Sequence, residues 1–348
     1  MTLPMTANIR DFGAVGDGAA DDTAAIQAAV DACPPGGILY VPEGVFPCAD
    51  IRVKPHITIQ GAGNWGYRDE SNCHSRLTPA VETAACLLDV TDAVGATIVG
   101  LALDGKGCGK EMHGIQIAKT GTYGREEDAI RIEKCRVSDF SGDALHLHHV
   151  WCATVQGNML GGSRNGLYID GWDLFIYDNW LTANRGCGVY GRSQRNTAVV
   201  FQGNRVEWNG RQGIDSEGGV TWVLTGNHFD RNGREGARFL DAKHINITGN
   251  AFVRDGWRAT GEERSVGLTV ENGKGISIQS NVFRSLGGDG GKERHSPDYD
   301  IQLSRLDTAV VRGNVMYQAA VVQNILDWGG HTNLVLADNV GSLAQGDC

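Results

Sequence analysis

The chain has 348 residues, of which 49 are glycine and only 8 are proline, and its formal net charge is -10 with a pI of about 5.5. This acidic balance disfavours a nucleic-acid-binding protein, which would show a basic excess. No apolar run approaches the roughly 18 residues of a transmembrane helix, so neither nucleic acid nor membrane is expected as a partner. An acidic protein can still bind an acidic glycan through a local basic groove.

The N-terminal stretch predicts a cap followed by strands. The segment "IRDFGAVGDGAADDTAAIQAAVDA" ends in a short amphipathic helix, which Asp21 or Asp22 can cap and in which Ile26, Ala29 and Val30 share an apolar face. The next segment, "GGILYVPEGVF", predicts the first strands. A helix of this kind can cover the open end of a repeat domain.

The nine cysteines give an odd count, and no pair has CxxC spacing, which disfavours a zinc site. Cys33 with Cys48 and Cys73 with Cys86 are candidate disulfides for an exported protein. We favour buried free thiols, because free cysteine is among the most buried residue types. The first residues lack the basic segment and apolar core of a signal peptide.

A loose repeat runs through the rest of the chain. One phrase, seen in "VQGNML" and "IYDNWL", recurs every 21 to 33 residues, and weaker copies lie at 57–63, 97–103 and 130–137. Each copy reads as a strand, a polar turn and a second strand, which is the pattern of a β-solenoid. The turn asparagines can bond to one another from coil to coil as a ladder. They are Asn158, Asn179, Asn204, Asn227, Asn250, Asn281, Asn314 and Asn339.

The entry motif and the asparagine-turn coils together resemble the pectate-lyase superfamily of right-handed parallel β-helices. That superfamily includes the catalytic modules of alginate C5-epimerases, some polygalacturonases and phage tailspikes. We therefore predict an all-β protein, a single right-handed parallel β-helix of about 11 coils with a short N-terminal capping α-helix. The predicted domain covers 1–348, with the cap and first strands at 1–50, the coils at 51–340 and a tail at 341–348.

A second strand column carries the candidate site. Its first apolar residues should face the core, because side chains alternate along a strand. These residues are Leu145, Leu167, Val189, Ile214, Ala237, Leu268 and Ile301. The residues one and three places later should then point outward to solvent. They are His146/His148, Tyr168/Asp170, Tyr190/Arg192, Asp215/Glu217, Arg238/Leu240, Thr269/Glu271 and Gln302/Ser304.

This concentration of imidazole, phenol, carboxylate and guanidinium groups predicts an active-site groove. Abstraction of a proton beside a carboxylate needs a base, an acid and a cation. His148 or His146 could be the base, Tyr168 the acid and Arg192 the carboxylate clamp. The full sets are as follows: catalytic His146, His148, Tyr168, Asp170, Arg192, Asp215 and Glu217; substrate-binding Tyr190, Arg238, Glu271 and Trp172.

At this strand the sequence is similar to the alginate epimerases, which have Asp, Pro and His where this chain has His146, Leu147 and His148. The resemblance carries over His148 and, on the next coil, Asp170, whereas the family's Asp is replaced by His146. The family's tyrosine falls at Asp143, so that Tyr168 would have to substitute for it. The resemblance implies a uronic-acid polysaccharide lyase or C5-epimerase.

Two other functions stay open. A glycoside hydrolase or transglycosylase, including the fructan transferase type, could use Asp170 with Glu217 or Asp215 with Glu217. A non-catalytic, tailspike-like module would bind glycan through exposed aromatics such as Trp172, Trp180 and Trp208.

All of these functions imply a polysaccharide or oligosaccharide partner and either a monomer or a homotrimer. No cofactor and no metal site is expected, although groove carboxylates could hold Ca²⁺. An extracellular or periplasmic location is expected, and the sequence leaves a cytoplasmic one open.

Overall fold

The computed structural model of the protein describes residues 6–63, 73–121, 126–257, 264–285 and 296–344. These residues form a 3₁₀ helix (Ile9–Phe12), one α-helix, α1 (Thr23–Ala32), and parallel β-strands β1 to β34. No helix in the described ranges has the length and apolar composition needed to cross a membrane. The prediction of an all-β solenoid with one short N-terminal helix is confirmed.

The chain divides into two compact units, Met1–Phe175 and Ile176–Cys348. Each coil of a unit contributes a strand to each of three parallel ladders, which we call faces A, B and C in chain order. The predicted boundaries of a single domain over 1–348 stay a prediction.

In the first unit β1 and β2 both lie on face B, and from β2 onward the strands follow one another in the repeating order B, C, A. Face A contains β4 (Ile51–Arg52), β7 (Cys86–Asp89), β10 (His113–Ala118) and the start of β13 (Leu145–Gln156). Face B contains β1 (Thr6–Asn8), β2 (Ile38–Val41), β5 (Thr58–Gly61), β8 (Thr97–Val99), β11 (Ile130–Glu133) and the end of β13. Face C contains β3 (Gly44–Cys48), β6 (Ser75–Pro79), β9 (Ala102–Asp104), β12 (Arg136–Ser138) and β14 (Met159–Gly161). The long strand β15 (Leu167–Tyr177) begins beside β13, where Leu145 N donates to Gly166 O at 3.1 Å.

The second unit repeats the same order. Face A contains β17 (Val189–Arg192), β20 (Ile214–Glu217), β23 (Ala237–Leu240), β26 (Val266–Glu271), β29 (Tyr299–Ser304) and β32 (Gln323–Asp327). Face B contains β18 (Thr197–Gln202), β21 (Val220–Thr225), β24 (Lys243–Thr248), β27 (Lys274–Gln279), β30 (Asp307–Arg312) and β33 (Thr332–Ala337). Face C contains β16 (Trp180–Thr182), β19 (Arg205–Glu207), β22 (His228–Asp230), β25 (Ala251–Val253), β28 (Val282–Arg284), β31 (Val315–Tyr317) and β34 (Val340–Gly341).

The core lies between the three faces. It is built from apolar side chains at equivalent strand positions, which lie one above another on successive coils. All seven residues predicted to face inward from the second strand column, from Leu145 to Ile301, are fully buried. On face C of the second unit, Phe229, Phe252 and Phe283 stack on successive coils with ring centroids 4.8 and 4.9 Å apart. Face C has 12 strands in the described residues, one more than the predicted number of coils.

The predicted asparagine ladder is present at the turn between faces B and C. Asn227, which is buried, is representative: its Nδ2 donates to Phe201 O at 2.8 Å and to Asn250 Oδ1 at 2.9 Å. Its Oδ1 accepts from Asn204 N at 2.9 Å and from Asn204 Nδ2 at 3.1 Å. The ladder therefore satisfies turn amides that the core hides from water.

A second ladder, which sequence reasoning missed, lies at the turn between faces C and A of the second unit. Asn184, Asn209 and Asn232 each donate from Nδ2 to the next member, at 2.9, 2.9 and 2.8 Å, and Asp255 accepts the last bond. Each member follows an asparagine of the first ladder at a constant spacing (Asn179 and Asn184, Asn204 and Asn209, Asn227 and Asn232, Asn250 and Asp255). This spacing was a signal that the sequence analysis did not use.

The helix α1 covers the first coils as predicted, with Ile26, Ala29 and Val30 buried. Asp21, rather than Asp22, bonds to the helix start: its Oδ1 accepts from Thr23 N at 2.9 Å. The β1 strand comes before the predicted first strands and pairs with β2.

The cysteines described by the structure are all free, including those at 33, 48, 73 and 86. The two candidate disulfides are therefore absent, and the preferred interpretation of buried thiols is confirmed for these four residues.

Candidate active site

In the first unit, face A brings three aromatic rings from successive coils into one stack. His113 opens β10, His146 lies in β13 and Tyr168 lies in β15. The His113 and His146 ring centroids are 4.2 Å apart, and the His146 and Tyr168 rings are nearly parallel at 4.4 Å. The alternation of β13 and β15 places the rings of His146 and Tyr168 on the outer side, whereas Leu145 and Leu167 fill the core.

Asp143, just before β13, bonds the central ring of this stack. Its side chain is fully buried, and its Oδ2 lies 2.8 Å from His146 Nδ1. Arg164 donates to both oxygens, from Nε to Oδ1 at 2.9 Å and from Nη2 to Oδ2 at 2.7 Å, and Asn165 Nδ2 donates to Oδ1 at 2.8 Å. Arg164 also pairs with Glu111. A single buried carboxylate therefore holds an imidazole and a guanidinium together.

These contacts determine the charge and the tautomer of the cluster. Burial alone would raise the pKa of Asp143, but the hydrogen bonds from His146 and Arg164 hold it well below its usual range. The ionised carboxylate can only accept, so His146 must carry a proton on Nδ1. The Nε2 atom of neutral His146 then has a free lone pair, and its side chain is 19% exposed. This is the arrangement that a general base requires.

His113 stays neutral in this cluster. Burial and the neighbouring His146 lower the pKa of His113 to about 4. Its Nδ1 accepts the backbone N–H of Asp143 at 2.9 Å. His113 therefore packs against His146 and orients the turn at Asp143 without adding a charge.

A second histidine–aspartate pair lies beside the first. His148 Nδ1 is 3.3 Å from Asp170 Oδ2, and the rings of His146 and His148 are 6.3 Å apart. The His148 side chain is 37% exposed, so a substrate can reach it. Beyond this pair, Trp151 and Trp172 meet edge to face at 6.5 Å, and Trp151 Nε1 donates to Asp173 Oδ2 at 3.1 Å.

The donors of His113, Asp143 and His146 lie within 4.8 Å of one another, close enough to suggest a metal site. The chemistry of the set does not fit one, because Arg164 already bonds both oxygens of Asp143. His113 Nδ1 is also occupied by a backbone N–H. A bound cation would have to displace the guanidinium, so this cluster is better suited to proton transfer.

In the second unit, face A forms a separate ion-pair cluster around Asp215. Arg238 binds both oxygens of this fully buried carboxylate, with Nη2 at 2.8 and 3.0 Å, and Arg192 Nη2 lies 3.4 Å from Oδ2. Arg192 also pairs with Glu217 at 3.4 Å and lies over the ring of Tyr190 at 5.8 Å. Glu271, another predicted substrate contact, pairs with Arg305.

The outward positions are less exposed than the sequence suggested. Asp170, Asp215 and Thr269 are only 5%, 0% and 3% exposed, so the expectation that they face solvent was wrong. Side chains from adjacent coils cover them, as Arg238 covers Asp215. Trp180 and Trp208 are likewise partly covered, by Arg205 and Arg231 at 5.0 and 4.5 Å.

Sequence reasoning found His146, His148, Tyr168 and Asp170, which the structure brings together. It missed the roles of His113, Asp143, Arg164 and Glu111. Asp143 had one signal, since it stands where the epimerase family has a tyrosine. Arg164 had a weaker signal, since it follows Asp143 by 21 residues, about one repeat, but it lies on a turn outside the strand alternation.

The coils and the site together define the class of protein. The family described as "Right handed beta helix region" matches residues 106–252 and 165–321, which is more than half of the chain. This chain therefore belongs to the right-handed β-helix family. Its residues 6–72 also match the family "Rhamnogalacturonase A/epimerase, pectate lyase-like". The resemblance predicted from the entry motif is confirmed.

Among individual proteins, the chain is similar to mannuronan C5-epimerase AlgE3 of Azotobacter vinelandii, with 45% identity over 69 residues, 17% of this chain and 4% of that protein. It is 34% identical to the exo-poly-alpha-D-galacturonosidase of Dickeya chrysanthemi over 116 residues, 30% of this chain and 19% of that protein. The match thus spans less than a fifth of either relative. The A-module of mannuronan C-5 epimerase AlgE4 of Azotobacter vinelandii has the same fold, with a TM-score of 0.68 over 95% of this chain and 99% of that module at 20% identity.

Proposed function

We propose that this protein acts on a uronic-acid polysaccharide by removing the proton at C5, as a lyase or a C5-epimerase. The observation that carries this proposal is the buried Asp143, which bonds His146 Nδ1 at 2.8 Å and leaves Nε2 free to accept a proton. A base held in one tautomer by a buried carboxylate is a recurrent device for proton abstraction.

In this reaction His146 Nε2 takes the C5 proton, and the electron pair moves toward the carboxyl group of the sugar. Tyr168, stacked on His146 at 4.4 Å, is placed to supply a proton. If the proton goes to O4 as the C4–O bond breaks, the product is an unsaturated sugar. If a proton is instead delivered to C5 from the face opposite the one that lost its proton, the product is the epimer.

The sugar carboxylate needs a cation while charge builds up on it. We assign the contact with this carboxylate in the first unit to His148, because its side chain is 37% exposed and lies beside His146, with its Nδ1 3.3 Å from Asp170 Oδ2. Arg192, the clamp predicted from sequence, already pairs with Asp215 and Glu217, and its role toward substrate stays a prediction.

Hydrolysis by paired carboxylates has less support. One candidate pair depends on Asp170 and the other on Asp215, and these carboxylates are only 5% and 0% exposed, so a sugar has little access to them. Asp215 is bound by two arginines, an arrangement that suits a structural anion rather than a proton donor. The sequence similarity to mannuronan C5-epimerases also favours chemistry at C5.

The test is a panel of polymannuronate, polygalacturonate and neutral glycans with three readouts. Ultraviolet absorbance of a new C4–C5 double bond indicates elimination, and proton NMR of the treated polymer indicates epimerisation. Reducing ends without absorbance would show hydrolysis and contradict the proposal. No change in any uronate polymer would contradict it as well.

A further inference from the structure

A polar groove runs along the corner between faces A and B of the second unit. It has a volume of about 560 Å³. One wall is a column of residues in register on successive strands: Val220 with Lys243, Lys243 with Lys274, and Lys274 with Asp307. Four coils at the spacing of adjacent strands give a groove roughly 14 Å long, which suits a chain-like ligand.

The two lysines are the unusual feature of this wall. Like charges placed directly opposite each other on neighbouring strands are destabilising. Lys243 and Lys274 are both exposed, and within the described ranges neither ammonium group takes part in an ion pair. Two unpaired cations in one groove favour an anionic ligand.

The opposite wall supplies groups for hydroxyls. It contains Asp241, Asn272 and Arg305 on successive coils, and Asn272 Nδ2 donates to Asp241 Oδ1 at 2.9 Å. Arg305 is neutralised by Glu271. Asp307, next to Lys274, accepts from the hydroxyl of Thr308 at 3.1 Å. The lining thus carries three cationic side chains, those of Lys243, Lys274 and Arg305, against the two carboxylates of Asp241 and Asp307. This positive excess, with several polar donors and acceptors, suits an acidic sugar chain.

We propose that this groove, which we call the Lys243–Lys274 groove, is a binding site for an acidic oligosaccharide. The two ammonium groups contact carboxylates of the sugar chain, and the wall at Asp241 and Asn272 contacts its hydroxyls. This inference rests on the proposed function only for the class of ligand, an acidic glycan. It assigns no catalytic step to the groove.

The experiment is calorimetric titration with size-defined oligogalacturonate and oligomannuronate. His146→Ala serves as the background if the wild type turns the probe over. The double variant Lys243→Ala/Lys274→Ala should bind about tenfold more weakly, as expected for losing two exposed ion contacts. The double variant Arg211→Ala/Arg284→Ala removes the same charge from exposed positions elsewhere in the second unit and should bind as before.

Two further measurements test the chemistry. A carboxyl-reduced oligosaccharide should bind weakly and show no difference between wild type and the lysine variant. Without ligand, Lys243→Ala should raise the melting temperature, because the register partners of Lys243 are Val220 and Lys274, and the change relieves the repulsion from Lys274.

The inference is overturned if the lysine variant binds both acidic probes like wild type, if neither probe binds, or if inorganic sulfate alone competes fully with them. Product assays report separately on the proposed function. Wild-type turnover with unchanged binding in the lysine variant would reject only the groove, whereas lysine-dependent binding without any product would reject only the proposed reaction.

Discussion

Replacing Asp143 with asparagine tests the base most directly, because both oxygens of this residue act as acceptors. Oδ2 serves His146 and Arg164, and Oδ1 serves Arg164 and Asn165. In the asparagine variant an NH₂ group replaces one of these oxygens. Whichever oxygen it replaces, this donor then faces groups that are themselves donors. The lowest-cost solution turns it toward His146, whose neutral ring can move its proton from Nδ1 to Nε2. The base is then blocked, although the shape of the site is kept.

We expect Asp143→Asn to lower turnover at least about 100-fold, the lower end of the range for acid–base catalysis. The variant also loses charge-assisted bonds to a buried carboxylate, which are worth about 1.5–3 kcal/mol each. Arg164 keeps its ion pair with Glu111 in this variant, and its side chain is 38% exposed, so water can compensate part of this loss. We expect a net decrease of about 2–3 kcal/mol in the free energy of unfolding.

The assay is the initial rate on the uronate polymer that proves to be the substrate, divided by the folded fraction from circular dichroism. Asp230→Asn is the matched control. Asp230 is also a buried carboxylate held by two arginines, with Arg231 at 2.6 Å and Arg254 at 2.9 Å, and it lies on face C. Burial raises the pKa of Asp230, whereas the pKa of Asp143 is lowered, so Asp230→Asn should lose less stability than Asp143→Asn and should keep its rate. A folded Asp143→Asn protein whose rate is within a few-fold of wild type would refute the assignment of His146.

Three further outcomes concern the fold. Asn227→Ala should lower the free energy of unfolding by about 3–5 kcal/mol, since it leaves several buried groups unsatisfied, and should leave the rate per folded molecule unchanged. Burial raises the pKa of Asp300 to about 7, against one hydrogen bond from Asn324. The folded state therefore holds this proton more tightly, and stability should fall as pH rises from about 4 to 7; urea titrations of Asp300→Asn should lack this fall. In thiol labelling without denaturant, Cys108 should react and Cys135 should not, because burial raises the pKa of Cys135 and closes access to it.

The choice of base in the proposed reaction shows how much a strand pattern can predict. Sequence reasoning put His146 and His148 on the outer side of one strand, and it offered either as the base. The alternation of side chains could not separate them, because both residues share the same face. Asp143 separates them in the structure: its buried carboxylate holds His146 directly, whereas His148 is paired with Asp170 on the next coil.

What the sequence determined by itself is the solenoid, its inward column and its asparagine ladder. In a β-helix, residues one repeat apart in the chain are neighbours in space. An asparagine or apolar residue that recurs at the repeat length is therefore expected to contact its own copies, and the ladder from Asn179 to Asn314 could be predicted from the sequence. The same rule placed His146 and Tyr168 on adjacent coils, where the structure stacks them.

Only the tertiary structure decided which polar groups at the turns meet. Asp143 and Arg164 are 21 residues apart, about one repeat, so the period places them on adjacent coils, but it does not show that the guanidinium bonds the carboxylate. Glu111 reaches Arg164 across 53 residues. Burial of Asp143 follows from the packing of several coils at once, and burial is what makes this carboxylate able to hold an imidazole and a guanidinium in place. The sequence pattern carries no information on the burial of Asp143, because in an exposed turn the same residues would each be solvated by water.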